Sequence, residues 1–213
     1  MHIALHDLAP VHLAGVSSPG SGIWNRDLVF ESGKYYLILA PSGTGKSTLL
    51  LTLYGIFRNY KGSICFDDKD ISSFELDDWA DSRQTQLSFV FQDLRLFPHI
   101  TAMENILLKA GLTNSFAEQE IAASAGELGI ADLLHRTCGT LSFGEQQRVA
   151  IIRSLVQPFK FLLLDEPFSH LDDDNISKAI ELIVRKARDN NAGIVMSSLG
   201  NNYGMKFDFT LMM

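Results

Sequence analysis

The stretch APSGTGKST at residues 40–48 lies between an apolar run and a helical pattern that begins near Lys46. Its glycines, Gly43 and Gly45, allow successive backbone N–H groups to turn toward one point, and the N-terminus of the helix adds a positive dipole there. The stretch fits the phosphate-binding pattern G-x-x-x-x-G-K-[ST] except at its first position, where Ala40 replaces glycine. Strand, glycine loop and helix in this order predict the phosphate-binding unit of a parallel α/β sheet.

The residues of this loop predict a bound nucleotide and Mg²⁺. Lys46 would reach the β- and γ-phosphates, and the Ser47 hydroxyl would be a ligand of Mg²⁺. Alanine is tolerated at position 40 because this residue lies at the strand end, where φ can stay negative. The residues predicted to bind the nucleotide here are Ser42, Gly43, Thr44, Gly45, Lys46, Ser47 and Thr48.

The rest of the chain alternates between short apolar runs and helical patterns. Apolar runs that predict strands lie at 34–40, 62–66, 87–91, 160–164, 193–197 and 207–212. Helical patterns lie at 46–57, 101–110, 116–129, 131–135, 143–156 and 173–190. From about residue 72 to 140 the helical patterns dominate, which predicts a helical lobe inserted into an α/β core.

Composition limits what the chain can be. Its 213 residues, 46% of them hydrophobic, suffice for one sizeable core. The 18 Lys and Arg residues are outnumbered by 25 Asp and Glu residues, and without a basic face no nucleic-acid partner is expected. No apolar run approaches the ~20 residues of a membrane helix, no cationic leader opens the chain, and Cys65 and Cys138 lack disulfide or metal spacing. We therefore expect a soluble, cytoplasmic chain.

A second stretch, FLLLDEP at residues 161–167, ends an apolar strand in two carboxylates. In α/β folds this edge of the sheet is where ligands bind. Asp165 suits a water-mediated contact to Mg²⁺, and Glu166 suits the orientation or deprotonation of an attacking water. Taken alone, such a pair is more often a solvated strand end. Combined with the phosphate loop, it predicts a Walker B element.

A third stretch, TLSFGEQQRVA at residues 140–150, resembles the signature motif of ATP-binding cassette (ABC) ATPases, whose usual form is LSGGQ or LSGGE followed by QQRVA. The resemblance runs from the strand before Lys46 to about Ser198. Three further stretches resemble family motifs in the family's order: the Q-loop at 89–93, Walker B at 165–167 and the D-loop at 169–172.

The resemblance implies the ABC ATPase fold. This is an α/β P-loop NTPase core with a mainly parallel sheet, an N-terminal antiparallel β portion and an inserted helical subdomain. The chain, 1–213, would be a single domain, with its core at about 1–91 and 141–213 and the helical subdomain at about 92–140. For the adenine-stacking aromatic residue of the family, His12 and Trp24 are both candidates. A core or edge position is an equal alternative for Trp24.

The resemblance also implies a head-to-tail dimer that holds ATP between the phosphate loop at 40–48 of one subunit, the family's Walker A motif, and the signature of the other. Ser142, Gly144 and the helix that begins near Glu145 would form a second anion site, since one chain hardly needs two helix N-termini for one triphosphate. Ser142 can also be a plain N-cap that forms a capping box with Glu145, and the two roles are compatible. Phe143, where the family has glycine, is expected to be a packing contact at the dimer seam.

Carried over motif by motif, the resemblance implies that Lys46, Glu166, Gln92 and Ser198 are the catalytic residues. Ser198 stands where family members have a histidine that contacts the γ-phosphate. A serine hydroxyl is shorter and cannot be cationic, so slow turnover is expected, because loss of one such donor costs ~10²–10³ in rate. The Mg²⁺ ligands would be Ser47, Gln92 and Asp165.

The expected function is that of the ATP-binding and ATP-hydrolysing subunit of a membrane ABC transporter. Its partners would be a second ABC ATPase subunit, identical or different, and an integral membrane permease whose cytoplasmic helix docks beside the Q-loop at residues 91–99. The chain would thus lie on the inner face of the cell membrane. Two alternatives are a weakly hydrolytic nucleotide switch that controls assembly and a soluble ABC ATPase that acts on DNA or ribosomes. The cargo and the direction of transport cannot be read from the sequence.

Overall fold

The computed structural model describes residues 1–11, 21–113 and 118–213. The strands are β1 (His2–Pro10), β2 (Leu28–Glu31), β3 (Tyr35–Leu39), β4 (Tyr60–Phe66), β5 (Lys69–Asp70), β6 (Leu87–Val90), β7 (Phe161–Asp165), β8 (Gly193–Ser198) and β9 (Phe209–Met212). The helices are α1 (Lys46–Leu53), α2 (Leu76–Thr85), α3 (Ala102–Ala110), α4 (Glu118–Glu127), α5 (Phe143–Leu155) and α6 (Asp173–Asp189). Short 3₁₀ turns lie at Ile71–Ser73, Ala131–Leu133 and Cys138–Thr140.

Within the described ranges the strands form two sheets. One sheet has the order β6-β7-β8-β3-β9, and each neighbouring pair of strands in it is parallel. The other sheet has the order β2-β1-β4-β5 and is antiparallel throughout. The predicted α/β fold, with a mainly parallel sheet and an antiparallel β portion near the N-terminus, is therefore confirmed.

Strand β7 explains how the parallel sheet is held in place. All 5 of its residues are buried. Leu162 and Leu164 pack into a cluster that includes residues of α5 and α6, whereas Phe161 and Leu163 pack into a cluster that includes residues of α1. Because successive side chains of a strand point to opposite faces, a strand that is apolar on both faces must be covered on both. Burying each of these side chains contributes about 1.5–3 kcal/mol.

The apolar pattern does not predict helix α2. This helix is mostly polar, and its buried residues are Trp79 and Ser82, so the apolar periodicity that identifies a helix is weak. Its start is defined instead by a side chain, because the Asp78 carboxylate accepts a hydrogen bond from the Glu75 N–H at 2.9 Å. The start of α2 is therefore determined by a short-range capping contact and not by the spacing of apolar residues.

The helix predicted at 131–135 is wrong, because these residues form only the 3₁₀ turn Ala131–Leu133. Helix α4 ends at Glu127, and Gly129 adopts a φ of 65°, a left-handed conformation that ends helices. The helix predicted at 116–129 begins outside the described residues. The predicted boundaries of the core and the helical subdomain stay a prediction. Among the described helices, none combines the length and the apolar character needed to cross a membrane.

Candidate functional site

Three parallel strands bring the predicted site residues to one edge of the sheet. Strand β3 pairs with β8, with Leu39 opposite Ser198, and β8 pairs with β7, with Ser197 opposite Asp165. The carboxyl ends of these strands therefore lie side by side, and the loop at 40–45 leaves the sheet at the same edge. This is the position where open α/β sheets bind ligands.

The loop at 40–45 is shaped by its glycines. Gly43 has a φ of 82° and Gly45 a φ of 105°, values that residues with a Cβ atom rarely adopt. Gly45 is the N-cap of α1 and offers no side chain to the first N–H groups of that helix. A Cβ atom added at Gly43 would meet nothing within 4 Å. The backbone there opens on free space, as a phosphate-binding loop requires.

A cavity of about 280 Å³ lies on this loop. Its lining contains most of the residues that the sequence assigned to nucleotide binding, together with the predicted Gln92 and Glu166. The lining residues are Ser42, Gly43, Gly45, Lys46, Ser47, Thr48, Gln92 and Glu166. Thr44 is not among them, and its hydroxyl donates to the Pro41 carbonyl at 2.8 Å.

Lys46 lies in this cavity with its cation balanced by oxygens. Its Nζ donates to the carbonyls of Ala40 at 2.7 Å and Pro41 at 3.0 Å, and it is 3.7 Å from Oε1 of Glu166. The side chain is 5% exposed. A buried ammonium group needs oxygen partners of this kind. Because Lys46 lines the cavity, the oxygens of a bound phosphate could replace the two carbonyls.

The two carboxylates at the end of β7 occupy different positions. Glu166 lines the cavity, whereas Asp165 is 4% exposed and lies outside the lining. Glu166 adopts a φ of 46°, which is uncommon for a residue other than glycine and is a form of strain that clusters at functional sites. The chain therefore turns sharply between the two carboxylates, so that the second enters the cavity.

Ser197 contacts both carboxylate residues, and sequence reasoning missed it. Its Oγ donates to Oδ1 of Asp165 at 2.6 Å and accepts a hydrogen bond from the Glu166 N–H at 3.2 Å. The signal that could have found Ser197 is its place at the end of a strand next to Walker B. That signal is usable only once the order of the strands is known.

Ser198 is not brought into the cavity. It is 1% exposed, and its Oγ accepts hydrogen bonds from the N–H groups of Asn201 at 3.1 Å and Gly200 at 3.4 Å. The Ser198 hydroxyl thus stabilises the start of its own following loop. Its predicted contact with a γ-phosphate stays a prediction.

The signature residues lie outside this chain's cavity. Ser142 is the N-cap of α5, and its Oγ accepts from the Glu145 N–H at 3.4 Å. In return, Oε2 of Glu145 accepts from the Ser142 N–H at 2.7 Å and from its hydroxyl at 2.8 Å. These two donors hold the pKa of the Glu145 carboxyl below its usual value. The capping box is therefore present, and a contact of Glu145 with nucleotide stays a prediction.

The start of α5 packs against the D-loop. A Cβ atom added at Gly144 would lie 2.9 Å from the carbonyl oxygen of His170, so only glycine allows this close approach. The Phe143 ring, 57% exposed, lies 4.6 Å from the His170 ring. Gln147 accepts from the His170 N–H at 3.0 Å. The signature and the D-loop thus form one exposed surface.

Of the two candidates for adenine stacking, Trp24 is not part of the cavity lining. Trp24 is 5% exposed, and its indole N–H donates to the Thr44 carbonyl at 3.5 Å. The buried Trp24 therefore contacts the phosphate loop from the hydrophobic core, which matches the alternative of a core position. His12 lies outside the described residues.

The predicted Mg²⁺ ligands are hard oxygen donors, the type that Mg²⁺ prefers. Ser47 and Gln92 line the cavity, and Asp165 lies at the strand end beside it. No group of three His, Cys, Asp or Glu that could hold a metal occurs among the residues with described positions. Mg²⁺ usually keeps several waters and binds through one or two protein oxygens together with substrate phosphates.

A second cavity, of about 210 Å³, lies beside the Q-loop. Its apolar lining includes Phe91 and the exposed Phe97 and Leu108, and its cations include Lys109 and Arg153. Burial, with the nearby Arg153 and Arg83 cations, lowers the pKa of Lys109 to about 8. Lys109 donates to the Arg83 carbonyl, and Arg153 donates to those of Leu94 and Arg95. The groove is therefore apolar in part and positively charged.

Comparisons with known proteins agree with this geometry. Residues 24–169 match the sequence family described as ABC transporter. The molybdate/tungstate import ATP-binding protein WtpC of Pyrococcus horikoshii is 39% identical over 166 residues, 75% of this chain and 46% of that protein. The lipoprotein-releasing system ATP-binding protein LolD of Geobacter metallireducens is 40% identical over 168 residues, 75% of this chain and 74% of that protein. The chain spans about half the length of several curated relatives.

A solved structure supports the fold. The dimeric structure of MJ0796, described as a bacterial ABC transporter cassette, matches with a TM-score of 0.83 over 99% of this chain and 94% of that one, at 24% identity. The family match covers more than half of this chain, and the relatives share at least a third of their aligned residues with it. The chain belongs to the ABC transporter family and carries the fold of its ATP-binding cassette.

Proposed function

We propose that this chain is the ATP-binding and ATP-hydrolysing subunit of a membrane ABC transporter, in which closure of an ATP-bound dimer and hydrolysis drive transport by a separate membrane subunit. The observation that carries the proposal is the cavity at the sheet edge. It brings together the loop residues 42–43 and 45–48, Gln92 and Glu166 in one site. The names of WtpC and LolD, both ATP-binding proteins of transport or release systems, support it.

The cavity suggests how each residue would act on ATP. The loop N–H groups and the α1 N-terminus would hold the phosphates, and Lys46 would exchange its carbonyl partners for the β- and γ-phosphates. Mg²⁺, when bound through Ser47 and Gln92 with Asp165 nearby, would neutralise charge that develops on the phosphates. Glu166 would orient or deprotonate the attacking water, since its carboxylate is already in the cavity.

A second cassette would complete the site. Ser142 and Gly144 lie outside the cavity of their own chain, and Phe143 beside them is exposed. In a head-to-tail dimer they would face the γ-phosphate held by the partner, while the capping box keeps the helix start ordered. The dimeric state given in the description of the MJ0796 structure is in keeping with this arrangement.

The groove beside the Q-loop would receive the membrane subunit. In the proposed domain division it lies between the core at 1–91 and 141–213 and the helical subdomain at 92–140. Phe97 and Leu108 would contact the apolar face of a docking helix. The cations of Lys109 and Arg153, which donate to backbone carbonyls, would receive an acidic side chain. Such docking would hold the cassette at the cytoplasmic face of the cell membrane.

Steady-state ATP hydrolysis by the purified chain tests the activity. We expect Mg²⁺-dependent turnover that Glu166→Gln lowers by ~10²–10⁴-fold, the usual contribution of a general base, while ATP binding persists. Glu181→Gln, on the exposed face of α6, is the matched control and should hydrolyse ATP as the wild type does. A chain that binds no ATP, or an E166Q variant with wild-type turnover, would contradict the proposal.

Affinity purification from solubilised membranes tests the partner. An integral membrane protein should copurify with the wild type, and Lys109→Glu should abolish its recovery because it reverses a charge in the groove. Lys160→Glu, an exposed lysine on the loop before β7, is the control and should recover the same protein. Recovery of ribosomes or DNA instead would favour the soluble alternative.

A weakly hydrolytic switch is the second candidate function. The observation that favours it is the position of Ser198, whose hydroxyl is engaged by the backbone of residues 200 and 201. In this function ATP would mainly control assembly of the dimer. Turnover measured with the membrane partner distinguishes the two, because brisk hydrolysis excludes the switch.

A further inference from the structure

We propose that Ser197 is a positioning residue for ATP hydrolysis, because its hydroxyl fixes the Asp165 carboxylate and the backbone of Glu166 relative to each other. The inference rests on the proposed function. It concerns a residue that contacts neither the cavity nor, in the proposal, the nucleotide. Ser197 would act only through the two carboxylate residues that it holds.

The two hydrogen bonds of Ser197 have fixed directions. A backbone N–H can only donate, so the Glu166 N–H donates to the hydroxyl oxygen of Ser197 at 3.2 Å. The hydroxyl proton is then free for Oδ1 of Asp165, 2.6 Å away. This distance is typical of a charge-assisted O–H···O bond to a carboxylate. The Ser197 hydroxyl therefore donates one hydrogen bond and accepts another, and its two partners, Asp165 and Glu166, are consecutive residues at the end of β7.

The fold places Ser197 there with little freedom. It is 0% exposed and lies opposite Asp165 in the parallel register of β7 and β8. Because consecutive strand residues point to opposite faces, Ser197 and Ser198 act on different partners. Ser197 contacts the end of β7, whereas Ser198 contacts the loop that follows it. The two adjacent serines thus have separate roles.

The strained backbone of Glu166 gives this contact a consequence for catalysis. A non-glycine residue at a φ of 46° persists only where its surroundings hold it. The hydrogen bond from its N–H to Ser197 lies at that turn, and the turn directs the Glu166 carboxylate into the cavity. Loss of the Ser197 hydroxyl would therefore loosen both the carboxylate proposed to act on water and the one proposed to act on Mg²⁺.

The test compares Ser197→Ala, Ser197→Thr and Ser88→Ala in the full chain. Ser88 is also a fully buried strand serine, in β6, and its hydroxyl donates to the Ser154 carbonyl of α5, but it is not part of the cavity lining. For each variant we would measure kcat and KM for ATP, the Mg²⁺ concentration that gives half-maximal rate, ATP binding and thermal unfolding.

Ser197→Ala should lower kcat by ~10–100-fold and raise the Mg²⁺ requirement, as the loss of a hydrogen-bond partner behind metal-site ligands does, while KM for ATP changes little. Ser197→Thr keeps the hydroxyl and should restore kcat. Ser88→Ala should lower Tm without changing either kcat or the Mg²⁺ requirement. If Ser197→Ala fails to fold, Ser197→Cys replaces it, because a thiol fills the space but is a weak donor.

Wild-type kcat and Mg²⁺ dependence in the S197A variant, or in S197C where that replaces it, would overturn the inference while leaving the proposed function intact. A loss of kcat that Ser88→Ala matches at equal loss of Tm would also overturn it, since the effect would then follow from stability. A wild-type chain that binds no ATP would instead refute the proposed function, and the inference with it.

Discussion

Two helix N-termini in this chain carry glycine motifs, and they are capped differently. One is at Gly45 before α1, and the other is at Ser142 before α5. Gly45 offers no side chain to α1, and the loop opens on a cavity. At α5 the Ser142 hydroxyl caps the Glu145 N–H, and the Glu145 carboxylate returns to Ser142. The N-terminus of α1 therefore leaves its backbone N–H groups available to a ligand. At the N-terminus of α5, side chains of the same chain already bond some of these N–H groups.

The difference indicates where phosphate affinity resides in a single chain. An anion is favoured at any helix N-terminus, but a capped start with a carboxylate beside it attracts a second anion less than an uncapped one. We infer that α1 binds the triphosphate in the monomer, and that α5 contributes only when a partner brings a phosphate to it. Variants at each helix start can test this division.

Lys46→Met should have the largest effect. A charge-assisted hydrogen bond contributes about 1.5–3 kcal/mol, so the affinity for ATP should fall ~10–100-fold. Turnover should fall by ~10²–10³-fold as transition-state stabilisation is lost. Titration calorimetry with ATP and a steady-state assay measure the two. Lys160→Met, at an exposed lysine, is the control. ATP affinity unchanged in K46M would place the triphosphate somewhere other than α1.

Gly144→Ala should destabilise the chain by about 1–3 kcal/mol, as overpacking does. The new Cβ atom would lie 2.9 Å from the His170 carbonyl oxygen, which is backbone and cannot rotate away. ATP affinity of the monomer should stay unchanged because α1 is untouched. Urea unfolding measures the free energy of unfolding.

Gly126→Ala is the matched control for this variant. Gly126 lies in α4, and a Cβ atom added there would meet nothing within 4 Å. Alanine should therefore raise stability by about 0.5–1 kcal/mol through its helix preference. Equal effects of G144A and G126A on stability would show that the contact between the signature and the D-loop does not constrain residue 144.

The sequence was sufficient for the parts of the fold that depend on local apolar pattern. The run FLLLD predicts a strand covered on both faces, and the structure buries all of β7. Helix α2 could not be predicted in this way, because its polar sequence is helical through capping and the packing of Trp79. Local spacing also overstated the helix at 131–135, where only a 3₁₀ turn forms after the left-handed Gly129.

The sequence predicts the position of a site residue when that residue and its contact partners belong to the same motif. Lys46, Gly43 and Gly45 are positioned by their own loop. Ser197 was not predictable, because its contact with Asp165 depends on β7 and β8 being neighbours in the sheet. The engagement of Ser198 by residues 200 and 201 likewise depends on how the following loop turns. Spacing identifies a motif residue, but only the fold determines what its hydroxyl contacts.

Ser142→Ala should destabilise the chain by about 1 kcal/mol at neutral pH, the usual cost of losing an N-cap. Part of this difference depends on pH. The pKa of the Glu145 carboxyl is lowered in the folded state, first by the Ser142 N–H and then by its hydroxyl. The stability it contributes is therefore present above the ordinary glutamate pKa and is lost as pH falls through the lowered folded pKa. Urea unfolding of both proteins should show a smaller difference at acid pH than at neutral pH. A difference that grows at acid pH would exclude the carboxylate's part in the cap.

Phe143→Ala should have the smallest effect on the isolated chain. The ring is 57% exposed and its main aromatic contact is His170, so the free energy of unfolding should change by no more than about 0.5 kcal/mol. ATP binding by the monomer should not change. The effect should appear in the ATP-dependent dimer of the Glu166→Gln variant, because exposed aromatic residues are enriched in the buried centres of interfaces. Sedimentation at several protein concentrations should give a weaker dimer for E166Q with F143A than for E166Q alone. A dimer of equal strength would show that the surface formed by Phe143 and His170 lies outside the interface, and that α5 reaches a partner's phosphate without it.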